Sequence, residues 1–257
     1  MGIRHKIQRL SGLSPSISSV WGWIKRFTRF SGILQFRKAM SSYRPLLRRR
    51  LFKHRQNYLF QVHTYKASLI PPRFQAISRY LDTLFLPETL VNPEAFTVRP
   101  SVLARRALSL SADRIDSYAC KIAALALATS DNNHARHSLL QRYFLSIDTA
   151  TVAVEVPVYL TAEENGRITG DHHGMLGHID FLQVFDNGVT VLDYKPGATD
   201  DTHGLPQVFW YALALSVRTG IHLKDIRCAW FDENDYWIFP AIQGYYAARG
   251  EIFSGLA

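Results

Sequence analysis

The first acidic residue of this 257-residue chain is Asp82. Residues 1–81 hold 17 Lys and Arg and no Asp or Glu, whereas residues 82–257 hold 13 basic and 21 acidic side chains. The first part is therefore +17 and the rest −8, within a net charge of +9. A segment with no acids cannot neutralise itself, and its partner is expected to be a polyanion: nucleic acid first, an anionic membrane surface second. Cysteine is nearly absent as well. Cys120 and Cys228 stand far apart and form no C-x-x-C, which argues against a disulfide framework or a structural zinc and makes a reduced, intracellular setting the default. No run reaches the 18–20 uncharged apolar residues of a membrane span. Ser18–Ile24 is short, is followed by Lys25 and Arg26, and has no small-residue cleavage pattern, which argues against a secretory signal. The acid-free, Arg- and Ser-bearing start does have the composition of a mitochondrial transit peptide, although the run is long for one. Gly-x-x-x-x-Gly-Lys-Ser/Thr, Gly-x-Ser-x-Gly and the Rossmann glycine pattern are all missing, so nothing supports a nucleotide-driven motor, a hydrolase elbow or a dinucleotide site.

What is present is ample apolar material, with 15 Phe, 12 Tyr and 5 Trp, enough for a core without staples. Three zones are expected. Residues 1–57 form a basic, aromatic-studded extension of short amphipathic helices or solvated tail, ending in Arg48-Arg49-Arg50. Residues 58–150 are mainly helical, with apolar stripes at Ile77, Tyr80, Leu81, Leu84 and at Ile115, Tyr118, Ile122, Leu125; Asp113 and Asp116 are expected to help start the second helix. Residues 151–257 are the core. There Val152, Val154, Val156 and Val158 alternate with Ala153, Glu155, Pro157 and Tyr159, a strand pattern. A second strand covers 175–185, and the turn Asp186-Asn187-Gly188 leads to a third over 189–195. A helix over 203–219 ends at Gly220, and strands at about 225–231 and 235–240 follow. The order β-β-β-α-β-β on one mixed sheet makes the class α/β or α+β.

The chemistry gathers in Gly177-His178-Ile179-Asp180 and Leu192-Asp193-Tyr194-Lys195-Pro196-Gly197. Side chains alternate along a strand, so Asp193 and Lys195 share a face and Tyr194 takes the other. Pro196 cannot donate to a ladder and ends the strand after the lysine; Gly197 permits a sharp exit. With the hairpin in register, Asp180 lies near Asp193. Two carboxylates and a lysine at a sheet end need compensation, and a divalent cation bound by hard oxygens offers it. On the helix, Gln207 and Tyr211 are four apart and share one face.

This ordered set, G-H-I-D, then L-D-Y-K-P-G, then Q-V-F-W-Y, resembles the RecB-type branch of the PD-(D/E)XK nuclease superfamily over roughly residues 150–240. The resemblance implies a restriction-endonuclease-like mixed sheet flanked by helices, DNA as substrate and Mg²⁺ or Mn²⁺ as cofactor. It makes Asp180, Asp193 and the Tyr194 carbonyl metal ligands, Lys195 the catalytic lysine, and Gln207 and Tyr211 the helix motif. An upstream histidine often joins the metal in this family; His134 and His137 are the candidates, with His137 preferred because it heads the apolar run Leu139–Leu145, and a surface or capping role is the alternative for either. Glu155 matches an acid that many relatives carry on the first core strand. Some relatives hold an iron–sulfur cluster through four cysteines, and two cysteines cannot make that set. The expected function is a metal-dependent DNA nuclease acting on single strands or duplex ends, in repair, recombination or mobile-element processing. It acts alone or beside a separate helicase or recombination protein, in the cytoplasm near the nucleoid or in the mitochondrial matrix. The alternative is a nucleic-acid-binding protein with an inactive nuclease fold. Asp171-His172-His173 resembles the D-H-H phosphoesterases but lacks their further acidic and histidine clusters. His203 and His222 are expected to be structural.

Overall fold

A computed structural model describes residues 46–54, 56–89, 96–100, 110–129, 136–170, 172–198 and 204–254. The fold is α/β: eight strands form one mixed sheet in the order β1-β2-β4-β5-β6-β7-β8-β3, with helices on both faces. The strands are β1 (Leu47–His54), β2 (Gln56–His63), β3 (Asp113–Arg114), β4 (Thr151–Leu160), β5 (Met175–Phe185), β6 (Gly188–Tyr194), β7 (Ile226–Phe231) and β8 (Tyr236–Pro240). The helices are α1 (Thr64–Ser68), α2 (Gln75–Thr83), α3 (Tyr118–Leu127), α4 (Arg136–Ile147), α5 (Ala162–Thr169), α6 (Gly204–Thr219) and α7 (Ala241–Ser254). Among the named strands, β6 and β7 are the one parallel pair, joined by the crossover helix α6. No helix among the described residues is long and apolar enough to cross a membrane.

Strand composition explains the sheet. β4 and β6 are buried almost throughout, which is why they read as near-continuous apolar runs rather than clean alternations. Two cores result. One lies between the sheet and α2, α6 and α7, and includes Phe60, Ile77, Val156, Ile179, Val191, Phe209 and Leu213. The other lies under α3 and α4, and includes Ile122, Phe144, Phe181, Leu192, Tyr194 and Phe231. Phe144, Phe181 and Phe231 pack with ring centroids 4.4–5.8 Å apart.

Several expectations need correction. Residues 47–54 are neither tail nor amphipathic helix but the edge strand β1, paired along its whole length with β2, so a boundary at 57/58 would cut a β-hairpin. Two arginines of the Arg48-Arg49-Arg50 run are used inside the protein. Arg48 pairs with Asp82 at 2.5 Å, and Arg50 donates to the carbonyls of Leu84 (2.7 Å) and Leu86 (2.6 Å) past the end of α2. The zone 58–150 therefore contributes strands as well as helices. Of the stripe Ile115-Tyr118-Ile122-Leu125, Ile122 alone is buried: Tyr118 is 64% and Leu125 54% exposed, and α3 otherwise buries Ala119, Cys120, Ala123 and Ala126. Small alanines let α3 lie close to α4, which pattern counting that favours large residues does not register. Ser117, not Asp113 or Asp116, caps α3 by accepting from the Ala119 amide. The helix α5, with a Thr161–Glu164 capping box, stands between β4 and β5, where the sequence was read without one. The stripe at Ile77, Tyr80, Leu81 and Leu84 is buried as expected. Residues 1–45, including the aromatic-basic extension, lie outside the described residues.

Candidate metal-assisted active site

The site forms where two ladders stop at the same level of the sheet. β2 pairs with β4 only at Gln61–Val154 and Val62–Ala153. One residue further, Glu155 has φ +50°, and two beyond it Pro157 has no amide to donate. The left-handed backbone at a glutamate costs about 1–3 kcal/mol and tends to persist at functional sites. On the other side, β5 pairs with β6 only as far as Phe181–Leu192. Carried one step further, both registers set Glu155, Asp180 and Asp193 in a single row across β4, β5 and β6. Where the β5–β6 ladder ends, Asp180 Oδ2 accepts the Tyr194 amide at 2.9 Å, a side chain replacing the missing strand partner.

This opening is a cleft of about 570 Å³. Its lining includes Asp180, Asp193, Lys195, Gln207, Tyr211, His137 and Glu155, residues that the sequence scatters over 75 positions. Asp193 and Lys195 share a strand face, as alternation requires, and the Lys195 ammonium stands 2.8 Å from Asp193 Oδ2. Tyr194 turns to the opposite layer, its ring edge-on to Phe231 at 5.6 Å and to His137 at 5.3 Å. Gly197 has φ +74°, the left-handed exit that follows Pro196. That exit is fastened from behind: Asp232 accepts the Ala198 amide at 2.8 Å, and Trp230 donates its indole N–H to the Ala198 carbonyl at 3.2 Å.

Both helix layers reach the opening. From α6, Gln207 donates its amide to Tyr211 Oη at 2.6 Å, one helical turn apart. Tyr211 is buried, and burial first, then Asp193, holds its phenol well above the usual range, so it stays protonated. Gly177 explains its own identity here: a Cβ at that position would lie 2.4 Å from Tyr211 Cε1 and 2.7 Å from Pro100 Cγ. From α4, His137 Nδ1 lies 3.6 Å from Asp180 Oδ2, and burial lowers its pKa below the ordinary value, so the imidazole is neutral at pH 7 despite the carboxylates. Gln141, one turn beyond His137, donates to Glu155 Oε1 at 2.6 Å.

The electrostatics are those of crowded carboxylates. Burial, then Asp180, pushes Asp193 up to about 7. Burial, then Glu155, pushes Asp180 up to about 7, and burial does the same to Glu155. Lys195 opposes the shift at both aspartates but does not cancel it. Asp193 Oδ2 is buried, with the Lys195 ammonium 2.8 Å away. Among the described residues, no three His, Cys, Asp or Glu side chains converge closely enough to hold a metal as they stand. The donor chemistry nevertheless fits a hard divalent cation: three carboxylates in one row, all destabilised by burial and mutual repulsion.

His134 and His203 lie outside the described residues, as does Asp171. His222 caps a 3-10 turn by accepting the Lys224 amide, a structural role. Sequence reasoning missed Gln141, although its i+4 spacing from His137 was a usable signal. It also missed the second wall of the cleft, contributed by His54, Gln56, Asn57, Tyr58, Arg99, Pro100 and His178. No protein family, curated protein or solved structure matches this chain.

Proposed function

We propose that the chain is a metal-dependent DNA nuclease of the RecB-type branch of the PD-(D/E)XK superfamily, hydrolysing phosphodiester bonds with Mg²⁺ or Mn²⁺. The observation that carries this reading is the row Glu155–Asp180–Asp193 meeting Lys195, Gln207 and Tyr211 in one cleft. Asp180, Asp193 and the Tyr194 carbonyl would hold the cation, with Glu155 and His137 beside them. Such a cation polarises the phosphodiester and lowers the pKa of bound water.

The chain's own groups do the rest. Lys195, an ammonium beside Asp193, orients the attacking water and offsets the charge that grows on the phosphoryl oxygens. The Asp193 carboxylate, 2.8 Å away, keeps the ammonium aimed into the cleft. Tyr211, kept protonated and fixed by Gln207, supplies a neutral donor for a phosphate oxygen or for the water. His137, neutral and edge-on to Tyr194, braces the Asp180 side of the row. Gln141 orients Glu155.

The test is digestion of end-labelled linear and covalently closed DNA by purified protein in Mg²⁺ or Mn²⁺. Wild-type protein is expected to degrade DNA, and Lys195→Ala to lower the rate at least about 100-fold with its melting temperature retained. Cleavage that survives in the folded Lys195→Ala variant rejects the mechanism. Tight, salt-sensitive DNA binding by wild type without any cleavage would mark an inactive nuclease fold instead.

A further inference from the structure

Opposite the carboxylates, the cleft has a wall that the hydrolytic chemistry leaves without a task. Because the β2–β4 ladder stops at Val154, residues 56–60 of β2 pair with β1 alone, and His54, Gln56, Asn57 and Tyr58 of the hairpin line the opening. Tyr58 lies on this stretch of β2, opposite Phe52 of β1, and stacks on His178, with ring centroids 3.7 Å apart and planes at 11°. His178 is the residue paired with Pro157, where no backbone amide is available to β2. The imidazole is only 7% exposed, and its Nε2 has no hydrogen-bond partner. A phenylalanine at 178 would stack on Tyr58 equally well and would bury no orphaned nitrogen. Packing therefore does not account for the histidine.

We infer that His178 Nε2 is a substrate-binding atom: within the proposed nuclease site, on which this inference rests, it hydrogen-bonds an unpaired nucleotide turned into the cleft beside the scissile phosphate. Burial selects the unpaired state. In a duplex, the base edges are paired and stacked and the phosphates lie on the outside, so neither turns into the cleft wall where His178 stacks on Tyr58. A nucleotide of a single strand or frayed end rotates freely enough to enter. The rim suits such a guest. Gln56 and Asn57 are exposed amides at the hairpin tip, and Arg99 adds a cation for the backbone. The hairpin wall and His178 thus set strandedness, while the carboxylate row performs hydrolysis.

The deciding variant is His178→Phe, which keeps the ring stack and removes the nitrogen. Fluorescence anisotropy with a labelled short oligothymidylate and a blunt duplex of equal length gives the affinities, and steady-state cleavage in Mg²⁺ gives KM and kcat. The expected result is a five- to tenfold loss of single-strand affinity, with KM rising in parallel and kcat moving less. Duplex affinity stays within about twofold, and the melting temperature is equal or higher. A purely structural histidine predicts the reverse, a lower melting temperature with unchanged single-strand affinity, and that result overturns the inference. Equal losses for single strand and duplex overturn it too. Should His178→Phe fail to fold, Asn57→Ala at the exposed rim decides: loss of oligothymidylate affinity with duplex affinity kept, at an intact melting temperature, supports the subsite, and no loss or equal losses reject it. If wild type binds the oligothymidylate but cuts nothing, the nuclease reading falls while the anisotropy comparison still decides the role of His178.

Discussion

Three carboxylates in one row set the behaviour of this molecule at the scale of single residues. Each is pushed up to about 7, well above the value of an unfolded carboxyl near 4. The sign of the linkage follows: the folded state binds more protons, so their contribution to stability is full below about pH 4 and is lost as pH rises through about 7. Metal-free protein in EDTA is therefore expected to melt at a lower temperature at pH 8 than at pH 6. Added Mg²⁺ is expected to raise the melting temperature more at pH 8, where the carboxylates are charged and ready to bind it; an equal or smaller rise at pH 8 would show that the row does not hold the ion. Gly177→Ala is expected to destabilise by about 1–3 kcal/mol in denaturant titration, because a methyl group there meets the Tyr211 ring and cannot be absorbed without moving it. Asp180, Asp193 and Lys195 were legible in the sequence because strand alternation and a proline stop fix their faces by local rules. Glu155 was legible as a residue but not as a geometry, since nothing in Val-Glu-Val announces a left-handed backbone. His178 was hidden because its partner, Tyr58, lies 120 positions away and on a strand the sequence was not expected to contain.

Among the elements, ends of pairing matter more than pairing itself. The strands of the core were readable because β5, β6, β7 and β8 are apolar runs bounded by Asp186-Asn187-Gly188 and Asp232-Glu233-Asn234, and α6 follows from a continuous apolar window ending at Gly220. The β1–β2 hairpin was not, because its run Leu-Arg-Arg-Arg-Leu carries charges that suit a solvated tail equally well. Its arginines are used instead to fasten the hairpin to the end of α2. Arg50 donates to the carbonyls of Leu84, Leu86, Thr89 and Pro87, acceptors that no intrahelical amide reaches. Replacing it by alanine is expected to lower unfolding free energy by about 1.5–3 kcal/mol, the range for hydrogen bonds to a charged group. Arg50→Lys should recover only part of this, since an ammonium lacks the planar fork. Equilibrium denaturation with an unchanged m-value checks both.

For the whole molecule, charge is divided as unevenly as structure. The acid-free run extends through β1, β2 and most of α2 to Leu81, and the carboxylate row lies in residues 82–257, whose net charge is −8. Residues 1–45 hold nine Lys and Arg and no acid, while residues 46–257 hold 21 of each sign, so on the proposed nuclease reading the surplus positive charge that would hold a polyanion lies in the first 45 residues. Removing residues 1–45 is expected to leave cleavage of saturating DNA measurable, to weaken DNA affinity, and to flatten the dependence of log K on log salt, because fewer counterions are released. An unaltered salt slope would assign the segment to another partner or to targeting. The α/β class was readable from the β-β-β-α-β-β order of the last hundred residues, whereas the full eight-strand sheet was not, since β1, β2 and β3 come from segments with weak local signals.

The β1–β2 hairpin is, in mechanical terms, a cantilever. Arg48 and Arg50 clamp its base to α2 and two residue pairs weld it to β4, while the far end, where His54 faces Gln56, carries no core residue. Such a beam can be lengthened or shortened at its free end without disturbing its support. The reach of the cleft is therefore an adjustable dimension of this fold, open to redesign by loop grafting while the carboxylate row beneath it stays untouched.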